Sequence, residues 1–265
     1  MPSDFGLLVE KSYAIVARHH VWSPLVLAYK SARYLARSIA WRAQTPEQRF
    51  SEIYARQTWK RQGAPGSGDG SSLDYTQSFR GGLEALLAER RIGTLFDAPC
   101  GDMTWMRAVQ LPAGTTHLGG DIVASLIEAH KQSFDPAIYQ FRVFDITRDR
   151  FPKADLWLCR DCLFHLSYAD IFAALRQFVH SEIPLALITC HTDVQRNWDI
   201  QTGEWRCLDL TKAPFHFPAP SFHIEDWVKG HPKRIVGLWT RKEIATALGA
   251  GADRERADRE EPVPC

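Results

Sequence analysis

Five short apolar runs, most of them closing on a charged residue, set the limits on this fold: "TLFDA" (94–98), "THLGGD" (116–121), "QFRVFDI" (140–146), "ADLWLCRD" (154–161) and "PLALITCH" (184–191). Runs this short, separated by helical patterns such as "VASLIEAHKQSF" and "YADIFAALRQFVH", predict buried strands alternating with helices. "RIVGLW" (234–239) adds a further β-rich run. The rhythm predicts an α/β chain with a doubly wound, mostly parallel, Rossmann-like sheet.

The rest of the chain is arranged around that sheet. With 265 residues, 45% of them hydrophobic, the sequence suits one globular domain with extra chain at its ends. A formal net charge of +1 gives no bias toward nucleic acid. The six cysteines sit mostly inside apolar runs, which predicts free thiols in a reducing, cytoplasmic setting. The first ten residues carry Asp4 and Glu10 and no basic leader. "VWSPLVLAY" (21–29) is broken by Ser23 and Pro24, well short of the roughly 20 apolar residues of a membrane span. Residues 1–62 are helical in pattern and basic, and predict an N-terminal helical cap, with a weak membrane-surface contact as the lesser alternative. Residues 63–72, "GAPGSGDGSS", predict either a linker or a loop that covers a ligand. The main domain extends over 63–240, and 241–265 predicts a C-terminal helix and a disordered tail.

Ligands of an open parallel sheet bind at the carboxyl ends of its strands. Those ends here carry Asp97, Asp121, Asp145, Arg160–Asp161 and Cys190–His191. Asp121 is placed to accept two ribose hydroxyls, Asp145 to accept from an adenine amine, and Ile122 and Ile146 to sandwich the purine. The turn after the first strand, "FDAPCGDMTWM" (96–106), holds one glycine. A dinucleotide turn needs several, so that backbone amides and a helix N-terminus can reach a pyrophosphate. Pro99 removes one such amide. S-adenosylmethionine has no pyrophosphate. Gly101 lets the chain pass its amino-acid end, Asp97 and the carbonyl of Ala98 answer the ammonium, and Trp105 walls the sulfonium.

"LFDAPCGDMTWM", "LGGDIV", "FRVFDIT" and "ADLWLCRDCLFHL" resemble successive motifs of the class I S-adenosylmethionine-dependent methyltransferases, over roughly residues 50–240. Pro99 and Met103 depart from that family's glycine-rich pattern. The resemblance implies a seven-stranded sheet, a covering role for loop 63–72, a cofactor contact from Arg160, and a substrate lid over 191–227. "FSEIYARQTWKRQGAPGSGDGSS" and "NWDIQTGEWRCLDLTKAPFHFPAP" resemble more narrowly a bacterial group associated with polysaccharide or sugar modification. The activity this implies is O-methylation of a saccharide or glycoside hydroxyl. The alternatives are a small natural product or lipid-linked acceptor, and a non-catalytic S-adenosylmethionine-binding regulator.

Within "CRDCLFHLSYAD" (159–170), Asp161 and His165 are one helical turn apart. His165 is the expected general base, because an imidazole titrates near neutrality, with Asp161 orienting it or binding substrate. His191, Asn197, Asp199, Trp205 and Arg206 are the expected acceptor contacts: rings for a sugar face, polar groups for its hydroxyls. Cys159 and Cys162 have C-x-x-C spacing, but strand alternation predicts that they diverge, which disfavours zinc. Mg²⁺ on Asp161, Asp193 or Asp199 stays open as an aid to hydroxyl deprotonation.

Overall fold

The computed structural model describes residues 39, 41, 43–60 and 65–249. The chain divides into two compact units, Met1–Thr45 and Pro46–Cys265. Most of the expected N-terminal cap and the expected tail beyond 249 lie outside the described residues.

The larger unit opens with helix α1 (Pro46–Ala55), where Pro46 supplies a preset φ and lacks an amide that would be unpaired there anyway. Then come α2 (Gln77–Glu89), β1 (Thr94–Asp97), β2 (Thr116–Asp121), α3 (Ala124–Ser133), β3 (Tyr139–Val143) and β4 (Leu156–Cys159). The chain continues through α4 (Tyr168–Val179), β5 (Leu185–His191), β6 (Phe222–Glu225) and β7 (Arg234–Thr240), and residues 241–249 form α5. The seven strands form one sheet in the order β3-β2-β1-β4-β5-β7-β6. All pairings from β3 to β5 are parallel, and β7 runs antiparallel between β5 and β6. The expected mostly parallel, doubly wound sheet is therefore present. β6 has no signal of its own: "FHIE" is four residues, half of them exposed, and long-range pairing with β7 makes it a strand.

Period-two alternation assigns the strand side chains to two cores. Leu95, Leu156, Leu158, Leu187 and Leu238 join Phe79, Leu83 and Leu87 of α2 and Ile127 of α3 on one face. Phe96, Trp157, Cys159, Ile188 and Trp239 join Ile171, Leu175 and Phe178 of α4 and Ile244 of α5 on the other. Helices on both faces explain why the central strands read as continuous apolar runs.

Three strand ends differ from expectation. β3 stops at Val143, so Asp145 lies in the following turn. β4 stops at Cys159, leaving Arg160 and Asp161 free of the ladder. After β1, no α-helix forms from 103. Met103 adopts φ 59° and only a short 3₁₀ turn, Met106–Ala108, precedes Pro112. The left-handed backbone at Met103 and Pro112 downstream leave no uninterrupted stretch for an α-helix of several turns.

Chain order runs outward from β1 to β3, then restarts at β4 on the other side of β1. The crevice for a ligand therefore lies at the carboxyl ends of β1 and β4.

Candidate active site

Gly101 stands at that crevice with φ +57°, a conformation that costs glycine little. Its amide donates to Asp121 Oδ2 at 3.0 Å, and its carbonyl accepts from His130 Nε2 at 2.8 Å. Asp121 Oδ1 accepts the Val123 amide at 2.9 Å. The turn is thus fixed from both sides by the end of β2 and by α3. Burial pushes the Asp121 carboxyl up to about 6, against the pull of these amides. Burial also lowers His130, so its neutral ring carries its proton on the nitrogen facing Gly101.

The Gly/Ser loop closes over this turn. Ser67 donates its amide to Asp102 Oδ2 at 2.9 Å, and its hydroxyl accepts the Asp102 amide at 3.1 Å. Tyr54 of α1 shares a 2.7 Å hydrogen bond with the Ser67 hydroxyl. A side chain on Gly101 would lie 2.8 Å from Ser67 Oγ, so only glycine admits the loop here.

Asp97 is buried and pairs with His117 of β2, Nε2 to Oδ2 at 3.1 Å, with its pKa raised by burial and held back by that imidazole. The Ala98 carbonyl accepts Trp157 Nε1–H at 2.9 Å. Trp105, expected to wall a ligand cation, instead has its ring 5.2 Å from the guanidinium carbon of Arg160, with Phe79 at 5.1 Å. Arg160, expected to touch cofactor, is buried in ion pairs, since a guanidinium this deep requires anions. It donates to Asp226 Oδ1 and to the Gly70 carbonyl, both at 2.8 Å. Ile122 is half-buried beside Asp121, whereas Ile146 packs into the core with Phe144. Asp145 accepts the Thr147 amide at 2.8 Å and stands 3.8 Å from Arg148 Nε, so its own turn occupies part of it.

Beyond β4 lies the other half of the crevice, where the acceptor is expected. Asp161 takes φ 56° and binds Arg234 Nη2 at 3.1 Å, with Arg160 Nη1 at 3.4 Å. Burial would raise its pKa, but the two guanidinium groups outweigh burial and hold it low. Arg234 Nε donates to the Asp226 carbonyl at 3.0 Å while lying 3.2 Å from Asp226 Oδ2. Two arginines and two aspartates thus form a closed, charge-balanced cluster, over which Gly70 sits.

The expected Asp161–His165 relay is not the arrangement found. Residues 163–165 form a single 3₁₀ turn, so the one-turn α-helical spacing does not apply. His165 Nδ1 instead donates to the Glu204 carbonyl at 2.8 Å, and its ring stacks on Trp59 at 4.9 Å. Burial lowers its pKa to about 4. His191 is also buried and neutral, lowered to about 4 first by burial and then by Arg234. Its Nδ1 accepts the Leu208 amide at 3.2 Å, which leaves its proton on Nε2.

The expected acceptor contacts divide. Asn197 gives both amide hydrogens to the carbonyls of Asp209 and Ala213, each at 2.8 Å, so its role is to fold the segment. Asp199 Oδ1 accepts the Tyr168 and Ile200 amides, at 2.7 and 2.8 Å, and caps α4. Arg206 is fully buried and donates Nη1–H to the Leu166 carbonyl at 2.7 Å. Trp205 stays half-exposed, its ring 6.3 Å from that of His191. The 191–227 segment is seated on the strand ends through Gly203 to His165 and His191 to Leu208 backbone bonds.

Cys159 and Cys162 both lie in the same buried core, contrary to the divergence expected from alternation, because the strand ends between them. Burial raises Cys159 far above an ordinary thiol. Among the described residues no three His, Cys, Asp or Glu side chains gather to hold a metal ion, and none of the helices is long and apolar enough to cross a membrane.

Tyr54, Trp59, Ser67, His117, His130, Asp226 and Arg234 are the contributors that sequence pattern does not reveal. Only Ser67 carries a signal, the Gly/Ser loop around it.

No family profile and no curated protein matches the chain. Solved structures do resemble it. A DhpI–SAH complex is 20% identical with a TM-score of 0.49, matching 73% of this chain and 95% of that one. Magnesium protoporphyrin IX methyltransferase (ChlM) from Synechocystis PCC 6803 with bound SAH is 12% identical with a TM-score of 0.47, matching 71% of this chain and 92% of that one. Human N-acetylserotonin methyltransferase in complex with SAM is 16% identical with a TM-score of 0.41, and the match spans 60% of this chain and 54% of that one. At such identities and scores the likeness carries no activity across; the fold rests on the sheet order itself.

Proposed function

We propose that the chain is a cytoplasmic S-adenosylmethionine-dependent methyltransferase that O-methylates a hydroxyl of a saccharide or glycoside. The observation that carries this reading is the Gly101 turn, pinned by Asp121 and His130 with no α-helix behind it. A pyrophosphate would find neither the glycine-rich amides nor the helix dipole it needs. A nucleoside with an amino-acid end finds better partners. Asp121 fits a ribose diol, and Asp97 Oδ1, which no described residue hydrogen-bonds, fits an ammonium. Loop 65–71, through Ser67 and Tyr54, excludes water from above.

When bound, the cofactor supplies a methyl group on a sulfonium. The chain's part is to align the acceptor oxygen and take its proton. His165 donates from Nδ1 to Glu204, so in the neutral ring Nε2 keeps a lone pair for that proton. Its lowered pKa keeps the ring neutral throughout the physiological range. Asp161, with its charge held by Arg160 and Arg234, stabilises the imidazolium formed. The exposed rings of Trp198 and Trp205, at 40% and 50%, favour a sugar acceptor over a purely polar one.

Calorimetric titration with S-adenosylmethionine and with NAD tests the cofactor, and binding is expected for the first alone. Transfer of a labelled methyl group to a glycan array tests the acceptor. Binding of NAD in place of S-adenosylmethionine would sink the reading.

A further inference from the structure

We propose that the cavity beside His191 is a subsite for one neutral, hydroxylated sugar ring. The proposal rests on the saccharide reading and names the part of the acceptor that this chain grips. The cavity has a volume of about 260 Å³ and is lined by His191, Asp193, Cys207, Trp227, His231 and Lys233 among others. Pockets for drug-sized ligands span roughly 300–1,000 Å³, so this one admits a single ring and not an oligosaccharide.

The lining chemistry selects the kind of ring. Trp227 is 40% exposed, yet its Nε1–H is spent on the His231 carbonyl at 2.7 Å. The indole is therefore held by its polar edge and offers an apolar face. A pyranose has such a face in its axial C–H groups. Lys233 stands with its ammonium 5.8 Å from the Trp227 centroid, and its carbonyl accepts the Thr192 amide at 3.1 Å. Asp193 is exposed and makes no ion pair with a described residue.

One carboxylate and one ammonium in the same small cavity balance each other. An anion would meet Asp193 and a cation would meet Lys233. A polyol satisfies both, giving its hydroxyl hydrogens to Asp193 and accepting from Lys233 and from His191 Nε2–H. A metal is not the natural occupant, since no three of the His, Cys, Asp and Glu donors here converge. The subsite joins the acceptor side directly. The His191 ring lies 5.3 Å from that of Phe164, which in turn lies 4.6 Å from that of His165.

The test uses the full chain saturated with S-adenosylhomocysteine. Saturation-transfer NMR and tryptophan fluorescence follow titration with methyl glucoside, methyl galactoside, methyl rhamnoside and methyl glucuronide. The expected result is binding of at least one neutral glycoside, weakened about tenfold or more by Trp227→Ala and by Asp193→Asn. S-adenosylhomocysteine affinity is expected to stay unchanged in both variants. Absence of binding by every neutral glycoside overturns the subsite. So does indifference to both substitutions, or a preference for the glucuronide over the glucoside. A labelled-methyl assay on the same glycosides separates this proposal from the one it rests on. Methyl transfer that survives both substitutions overturns the subsite and leaves the saccharide reading standing. Binding that the substitutions abolish, with no transfer to any saccharide, upholds the subsite and sinks that reading.

Discussion

The two ends of this crevice solve the same problem differently. On the side proposed for the cofactor, the Asp121 carboxylate is buried against backbone amides from Gly101 and Val123. On the side proposed for the acceptor, Asp161 and Asp226 are buried against the guanidinium groups of Arg160 and Arg234. The first solution is local: its partners lie 2 and 20 residues away in sequence. The second joins two local pairs, Arg160–Asp161 and Arg234–Asp226, by contacts 66 to 90 residues apart, and draws on the end of β4, the end of β6, the start of β7 and the loop before α2. Short of proline, no substitution removes a backbone amide, whereas losing one member of an ion cluster leaves its buried partners under-compensated. The cofactor end is accordingly robust, and the acceptor end tunable and fragile.

The difference can be pressed at four points. His165→Gln is expected to lower kcat by about 10²–10⁴, with S-adenosylmethionine affinity retained, in single-turnover assays. Full activity in that variant would remove the base from the acceptor side. Asp226→Ala leaves two buried guanidinium groups with Asp161 as their one remaining anion in the cluster and is expected to cost about 3–5 kcal/mol in urea unfolding. Asp226→Asn, which keeps an acceptor for Arg160, is expected to cost less.

The third point is pH. His191 is held near 4 when folded, below its ordinary 6.5. A base depressed in this way contributes stability that is complete above about pH 6.5 and is lost as pH falls toward 4, worth about 3 kcal/mol. Asp121, raised from 3.8 to about 6, runs the other way, and its destabilising effect fades over the same acid range. Melting curves between pH 7 and 4 should therefore flatten in His191→Gln and steepen in Asp121→Asn. Identical slopes in all three proteins would show that the two ends do not differ electrostatically. Last, Asp121→Ala is expected to weaken S-adenosylmethionine about 100-fold by calorimetry, through loss of charged hydrogen bonds to a diol.

The same contrast governs what the sequence discloses. Short apolar runs disclose β1, β2, β4 and β5, because helices bury both faces of these strands and leave little polar alternation. The strand-terminal acid Asp121 is legible for the same reason: a strand's end is a local property. Asp97 is legible as a strand-terminal acid, but its partner His117 is not, since register alone brings β2 beside β1. Arg160 and Trp105 mislead because a cation and an indole near a presumed cofactor look like ligand contacts. Only the distant Asp226 shows that they serve each other. Asn197 and Asp199 likewise resemble sugar-binding residues in isolation, yet they organise an irregular segment whose amides have no ladder to join.

One stretch belongs to both ends. Ser67 is bound to the cofactor turn, and Gly70, three residues on, is bound to the ion cluster. Three residues of extended chain reach no further than about 11 Å. The strap between them therefore works as a short tether with two anchors, and slack at either anchor is felt at the other. A change at the Gly101 turn and a change at the ion cluster therefore meet in one short strap, which makes the two halves of the crevice mechanically dependent.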